Sequence, residues 1–212
     1  MKKRSRVVTA LVAGILASAG LSLMASGPAA ANPDTLTVCC AWNTSLGDNE
    51  LTYTIAGGDA TAQGHVNTAV QAWVSAIQPL NSATSDFTLT RVFTKSSDIE
   101  IRFKQGGGSI QGLTSWSFDR RGFITHVRIS ISGKAFGLPN NAALIDQITK
   151  HEMGHGLGLG HADFKDLMAT TVSGGNSTIS DCDLEGVLDA QDWRFVDDSA
   201  TPSPPPSSSV AC

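Results

Sequence analysis

The sequence predicts an α+β domain on three observations. Five segments alternate apolar and polar side chains, as half-buried strands do: 51–56, 87–94, 98–104, 112–118 and 122–132. Three others repeat apolar residues at three and four, as amphipathic helices do: about 64–79, about 141–158, and the stretch from Ser180 onward. These elements share about 180 residues beyond an apolar leader, enough for one domain with a sizeable core.

The leader comes first. Lys2, Lys3, Arg4 and Arg6 precede a long apolar stretch through Met24, which ends in Ala29-Ala30-Ala31. That is the pattern of a cleaved secretory signal peptide at 1–31, so a secreted, extracellular chain beginning at residue 32 is expected. No cysteine at its end could take a lipid, so release is expected, with no membrane partner after cleavage. Removing the leader takes four of the 15 basic residues and none of the 19 acidic ones, so net charge moves from −4 to −8. Such a balance excludes nucleic acid as a natural partner, and a monomer is expected.

The first strand, LTYTIA, follows a short amino-terminal stretch with Cys39 and Cys40. Val66, Ala69, Val70, Trp73 and Ile77 then mark the inward stripe of a long helix, with His65 as a solvated residue in its first turn. FTLTRVFT and DIEIRFK are half-buried strands, and after the glycine-rich GGGS at 106–109 come the short strand GLTSWSF and the longer GFITHVRISIS. Between these two, DRRG at 119–122 reads most simply as a hairpin turn; a calcium (Ca2+) site there is a second reading.

Residues 151–161 read HEMGHGLGLGH. On a helix, His151 and His155 are four residues apart and project from one face, so both can ligate one ion. Leu144 and Ile148 continue that face toward the amino terminus, Asn140 or Asn141 can cap the start, and glycines at 156, 158 and 160 mark the end. Gly158 can take the left-handed conformation that ends a helix. The chain can then return His161 as a third ligand, leaving one position of a tetrahedral zinc open, which is the mark of a catalytic site. Glu152, beside the first ligand, reaches water at the metal without being a ligand, which suits a general base. Histidines that merely sit in a buried helix are the plain alternative.

The string HExxHxxGxxH, here His151, Glu152, His155, Gly158 and His161, resembles the metzincin clan of zinc endopeptidases and, within it, the matrixins. The likeness runs over about residues 50–195 and is strongest at 141–168. It implies a twisted, mixed and mostly parallel sheet of about five strands with an antiparallel edge strand. The sheet would pack on a long amino-terminal helix and the active-site helix, with a closing helix at the carboxyl end. It also implies a methionine turn beneath the zinc, for which Met168 is the match. The chain departs from the pattern in three ways: the His161-to-Met168 spacing is one residue short, Ala162 stands for the usual Ser or Thr, and no proline follows Met168 closely. Thr170 stands where the astacin and serralysin branches carry a tyrosine ligand, which disfavours them.

By the same resemblance, 112–118 is the edge strand above the cleft, and Leu113, Thr114, Ser115 and Trp116 are its candidate substrate-binding residues. An ordinary edge strand with Trp116 in the core is the other reading. Matrixins often hold a second, structural zinc, but the region offers only His126, so one catalytic zinc (Zn2+) per chain is expected. Residues 169–178 are expected to wall a roomy pocket. Ser180 and Asp183 form a near capping box for the last helix, whose inward stripe is Leu184, Val187 and Leu188.

From Asp197 the chain is rich in proline and serine and is expected to be a disordered tail, with the catalytic domain at 32–196. Cys39, Cys40, Cys182 and Cys212 form an even set suited to disulfides. Adjacent Cys39 and Cys40 are poor partners, which leaves two pairings, each joining one of them to Cys182 and the other to Cys212. The expected function is a secreted zinc endopeptidase that cleaves extended polypeptides through water activated by the metal and Glu152. The alternatives are a binding or adhesion module with a structural zinc helix, and a zinc hydrolase of a non-peptide amide.

Overall fold

The computed structural model describes residues 34–42, 50–80, 88–94, 96–104, 111–132, 142–171, 176–191, 204 and 207–212, all within the unit Pro33–Cys212. The leader, the GGGS stretch, the Asn140/Asn141 cap, residues 172–175 of the expected pocket wall and residues 197–203 of the expected tail lie outside them.

Five strands make the main sheet: β2 (Glu50–Ala56), β3 (Thr88–Arg91), β4 (Ile99–Lys104), β5 (Gly112–Phe118) and β6 (Ile124–Ser132). Their order is β3-β2-β4-β6-β5, with every pairing parallel except the antiparallel β5–β6 pair at the edge. The α+β class and the mostly parallel sheet with an antiparallel edge are therefore as expected. Alternation decides which face is covered. Leu51, Tyr53, Ile99, Ile101, Val127, Ile129 and Ile131 point into the core, while Thr52, Thr54, Glu100, Arg102 and Arg128 form the polar opposite face. On that face Glu100 lies between Arg102 and Arg128.

Helix α1 (Ala60–Ile77) makes the crossover between the parallel strands β2 and β3. It starts four residues before the expected point because Asp59 caps it, accepting from the Ala62 N–H at 2.8 Å. Val66, Val70 and Trp73 are fully buried, each contributing roughly 1.5–3 kcal/mol by removal from water. Helix α2 (Ala142–Gly156) packs on α1, β5 and β6, and from Gln147 it is buried on nearly every side apart from Lys150. Helix α3 (Asp181–Gln191) opens with the expected box: Ser180 N–H donates to Asp183 Oδ2 at 2.8 Å and Asp183 N–H to Ser180 Oγ at 3.1 Å. Its inward stripe is Asp183, Gly186, Val187 and Ala190, with Leu184 partly buried and Leu188 turned outward at 45 % exposure. Leu188 was expected inside; small residues at 186 and 190 instead let α3 lie close to its neighbours.

A second sheet was not expected. It has three strands in the order β7-β1-β8: β1 (Thr35–Val38), β7 (Leu159–Ala162) and β8 (Ser208–Ala211), all antiparallel. The expected disordered tail is thus corrected over its last residues, where Val210 buries its side chain beside Val38 and Ala190. Backbone pairing and that apolar contact outweigh a composition that reads as unstructured. The disulfides are corrected too: Cys39 bonds Cys40, and Cys182 bonds Cys212. Strand β8 explains the second pair. It runs antiparallel to β1 and sets Cys212 beside Asp34, with its N–H on the Asp34 carbonyl at 2.7 Å. Cys39 is then about 16 Å away along β1, while Cys182 at the start of α3 is within bonding reach, Cα to Cα 5.5 Å.

Candidate metal centre and active site

The site is assembled where α2 ends. The last four carbonyls of any helix lack partners within it, and here each finds one. Leu157 N–H reaches Met153 O and Gly154 O, Gly158 N–H reaches His155 O at 3.1 Å, Trp116 Nε1 donates to His155 O at 2.9 Å, and Trp42 Nε1 donates to Gly156 O at 2.8 Å. Trp73 Nε1 adds a donor to Lys150 O at 2.9 Å. Two tryptophans therefore hold the helix end and a third holds its middle. Gly158 follows with φ 106°, and a β-carbon there would collide with the Cys40 carbonyl oxygen. Only glycine suits this position.

Past Gly158 the chain enters β7, which carries His161. Strand β1 pairs with β7 on one side, and the Asp163 carboxylate accepts from Thr35 N–H at 2.7 Å and Thr35 Oγ1 at 2.9 Å. His161 is thus carried on a paired strand. Met168 is fully buried; its carbonyl accepts from Ala162 N–H at 2.8 Å, and its sulfur fills the space that Gly154 leaves on α2. Asp166 binds this turn to α3 by accepting from Leu167 N–H at 2.7 Å and from Ser180 Oγ at 2.7 Å.

The three imidazoles converge. Ring centroids are 4.7 Å apart for His151 and His155, 5.5 Å for His151 and His161, and 4.8 Å for His155 and His161, with one nitrogen of each within 4.8 Å of the others. His151 Nδ1 donates to Leu167 O at 2.7 Å and His155 Nδ1 to Leu159 O at 2.9 Å, which leaves each Nε2 lone pair free. Burial pushes both imidazoles down, His155 to about 4, so the neutral form that binds metals prevails. A donor set of three neutral imidazoles suits zinc. Burial also raises Glu152 to about 7, against the opposing hydrogen bond from Thr114.

These groups line one cleft of about 700 Å³. Its walls are Gln111 to Thr114 and Trp116 of the edge-strand side, the three histidines with Glu152, Leu159 and Gly160, and Cys39, Thr170 and Thr171. The four residues expected to bind substrate divide. Thr114 and Trp116 face α2, Leu113 is half exposed at the cleft, and Ser115 lies off it with Oγ on Arg128 O at 3.3 Å. Cys39, beside the cleft, and Gly112, against Glu152, were not expected at the site from the sequence. His126 sits part-buried with Nδ1 3.1 Å from Ser97 O. At the 119–122 turn, the Asp119 carboxylate is taken by the N–H groups of Arg121 and Phe123 and by the Arg121 guanidinium.

Comparison with curated proteins returns no match. Among solved structures, the chain is similar to that of myroilysin at 18 % identity, over 59 % of this chain and 54 % of that one, with a TM-score of 0.39; the match spans about half of that protein's length. The family model described as matrixin matches residues 41–190, from the segment bearing Trp42 to the end of α3. With more than half its length matched, and with three converging histidines that could hold a metal ion, the chain belongs to the matrixin family of zinc metallopeptidases.

Proposed function

We propose that the chain is a secreted zinc endopeptidase that hydrolyses main-chain amides of extended polypeptides, with His151, His155 and His161 as the zinc ligands. The observation that carries this reading is the state of the three imidazoles. They converge, two have Nδ1 tied to main-chain carbonyls, and Glu152 shares their cleft. Bound zinc supplies Lewis acidity, polarising a carbonyl and making water easier to deprotonate.

The protein groups do the rest. Glu152 takes a proton from the attacking water and later returns it to the leaving amine. Strand β5 is an edge of the main sheet among the described residues, so its outward N–H and C=O groups offer an extended peptide a partner strand. Such pairing recognises main chain more than sequence and holds a scissile bond next to Glu152. The turn at Met168 supports His151 through Leu167 and is not a ligand. The leader at 1–31 is the support for secretion.

Replacing Glu152 with Gln tests the assignment. The E152Q protein is expected to keep one equivalent of zinc and to lose peptide hydrolysis by a factor of about 10³ or more. Zinc content by elemental analysis beside hydrolysis rates decides it; wild-type rates in E152Q contradict the role of Glu152.

A further inference from the structure

The inner face of β5 is given over to α2. Gly112, Thr114 and Trp116 point inward at every second residue, while Leu113, Ser115 and Ser117 are exposed. Trp116 holds the His155 carbonyl, and the other two meet Glu152. Thr114 Oγ1, on a residue 7 % exposed, lies 2.5 Å from Glu152 Oε2 and 3.1 Å from the Glu152 carbonyl oxygen. Beside it, a β-carbon at Gly112 would collide with Glu152 Oε1, Cγ and Cδ. One residue therefore supplies a donor to one carboxylate oxygen, and the next inward residue supplies the space that the other oxygen fills.

We propose that Gly112 and Thr114 form a seat that fixes the Glu152 carboxylate, which makes both of them positioning residues for proton transfer. The proposal rests on the reading of Glu152 as general base. A glutamate has three side-chain torsions, and proton transfer needs its oxygen within hydrogen-bond reach of the water. A seat that removes this freedom beforehand lowers the barrier without contacting the substrate. With Oε2 held by Thr114, Oε1 is the oxygen that accepts the proton from water. The same seven-residue strand offers its edge to a peptide and its face to the base. Docking a substrate against β5 thus registers the scissile bond against a carboxylate already in place.

The test compares wild type, T114V, T114S, G112A and E152Q on a quenched fluorescent peptide cut by the wild type, with zinc content and unfolding midpoint measured for each. Valine matches threonine in shape and removes only the hydroxyl. T114V is expected to lose kcat by about 10- to 100-fold, the factor for a hydrogen bond to a charged group, with KM within about twofold and zinc retained. T114S restores the donor and is expected to stay within about threefold of wild type in kcat. G112A is expected to lose kcat at least as far as T114V. Wild-type kcat in T114V overturns the proposal, and so does an equal loss in T114S, which would mark a merely structural role. If T114V does not fold, wild-type kcat in G112A overturns it. Failure of the wild type to cut peptides, or cutting by E152Q, defeats the general-base reading itself and the seat with it.

Discussion

Gly158 shows how much one residue can carry. It ends α2, turns the chain toward His161 with φ 106°, and lies where a side chain would strike the Cys40 carbonyl. Gly158→Ala should cost about 2 kcal/mol or more in stability and weaken zinc retention, read by denaturant unfolding and by zinc titration. Asp183 makes a second prediction. Burial raises its carboxyl to about 6 from the ordinary 3.8, opposed by Ser180 and reinforced by Asp166. The folded state thus binds this proton more tightly than the unfolded state. Its contribution is full below about pH 4 and lost as pH rises through about 6. Relative to D183N, the wild type should lose on the order of 2 kcal/mol between pH 4 and pH 7, measured by urea unfolding at both. At this scale the meeting of His151 with His155 was legible because a four-residue helical spacing fixes which side chains share a face. The meeting of Thr114 with Glu152 was not, because it depends on how β5 lies across α2. The only trace in the sequence was the alternation of 112, 114 and 116.

At the scale of elements, long periodic segments were read well and short strands were not. α2 and β5 fall close to their expected places because 3.6- and 2-residue patterns persist there. β1, β7 and β8 have four residues each, and two of them lie in runs whose glycine or serine reads as loop. Their stability comes from one another: β1 pairs with both neighbours, and Cys182–Cys212 fastens β8 to α3. Replacing both Cys182 and Cys212 with Ala should lower stability by about 2–4 kcal/mol, seen in denaturant unfolding with and without reductant. Because β7 carries His161, the same variant should also release zinc faster to a chelator. An unchanged release rate would separate the terminal sheet from the metal centre.

For the whole molecule, the arrangement places rigid support on each side of one cleft. The main sheet brings an open strand edge to one wall, and the small sheet brings His161 to the other. The helices and strands followed from periodicity, the mostly parallel sheet with its antiparallel edge came through the family likeness, and the strand order came from the structure alone. The small sheet falls partly outside the matched residues 41–190, since β1 and β8 lie beyond either end of them. No helix among the described residues is long and apolar enough to cross a membrane.

Digestion of a broad peptide library by the purified chain, with and without a zinc chelator and after restoring zinc, decides whether this protein is a zinc endopeptidase. Internal cleavage of extended peptides that stops on chelation and returns with zinc is the expected result. Cleavage indifferent to the chelator, or no cleavage by a folded chain holding zinc, would contradict it.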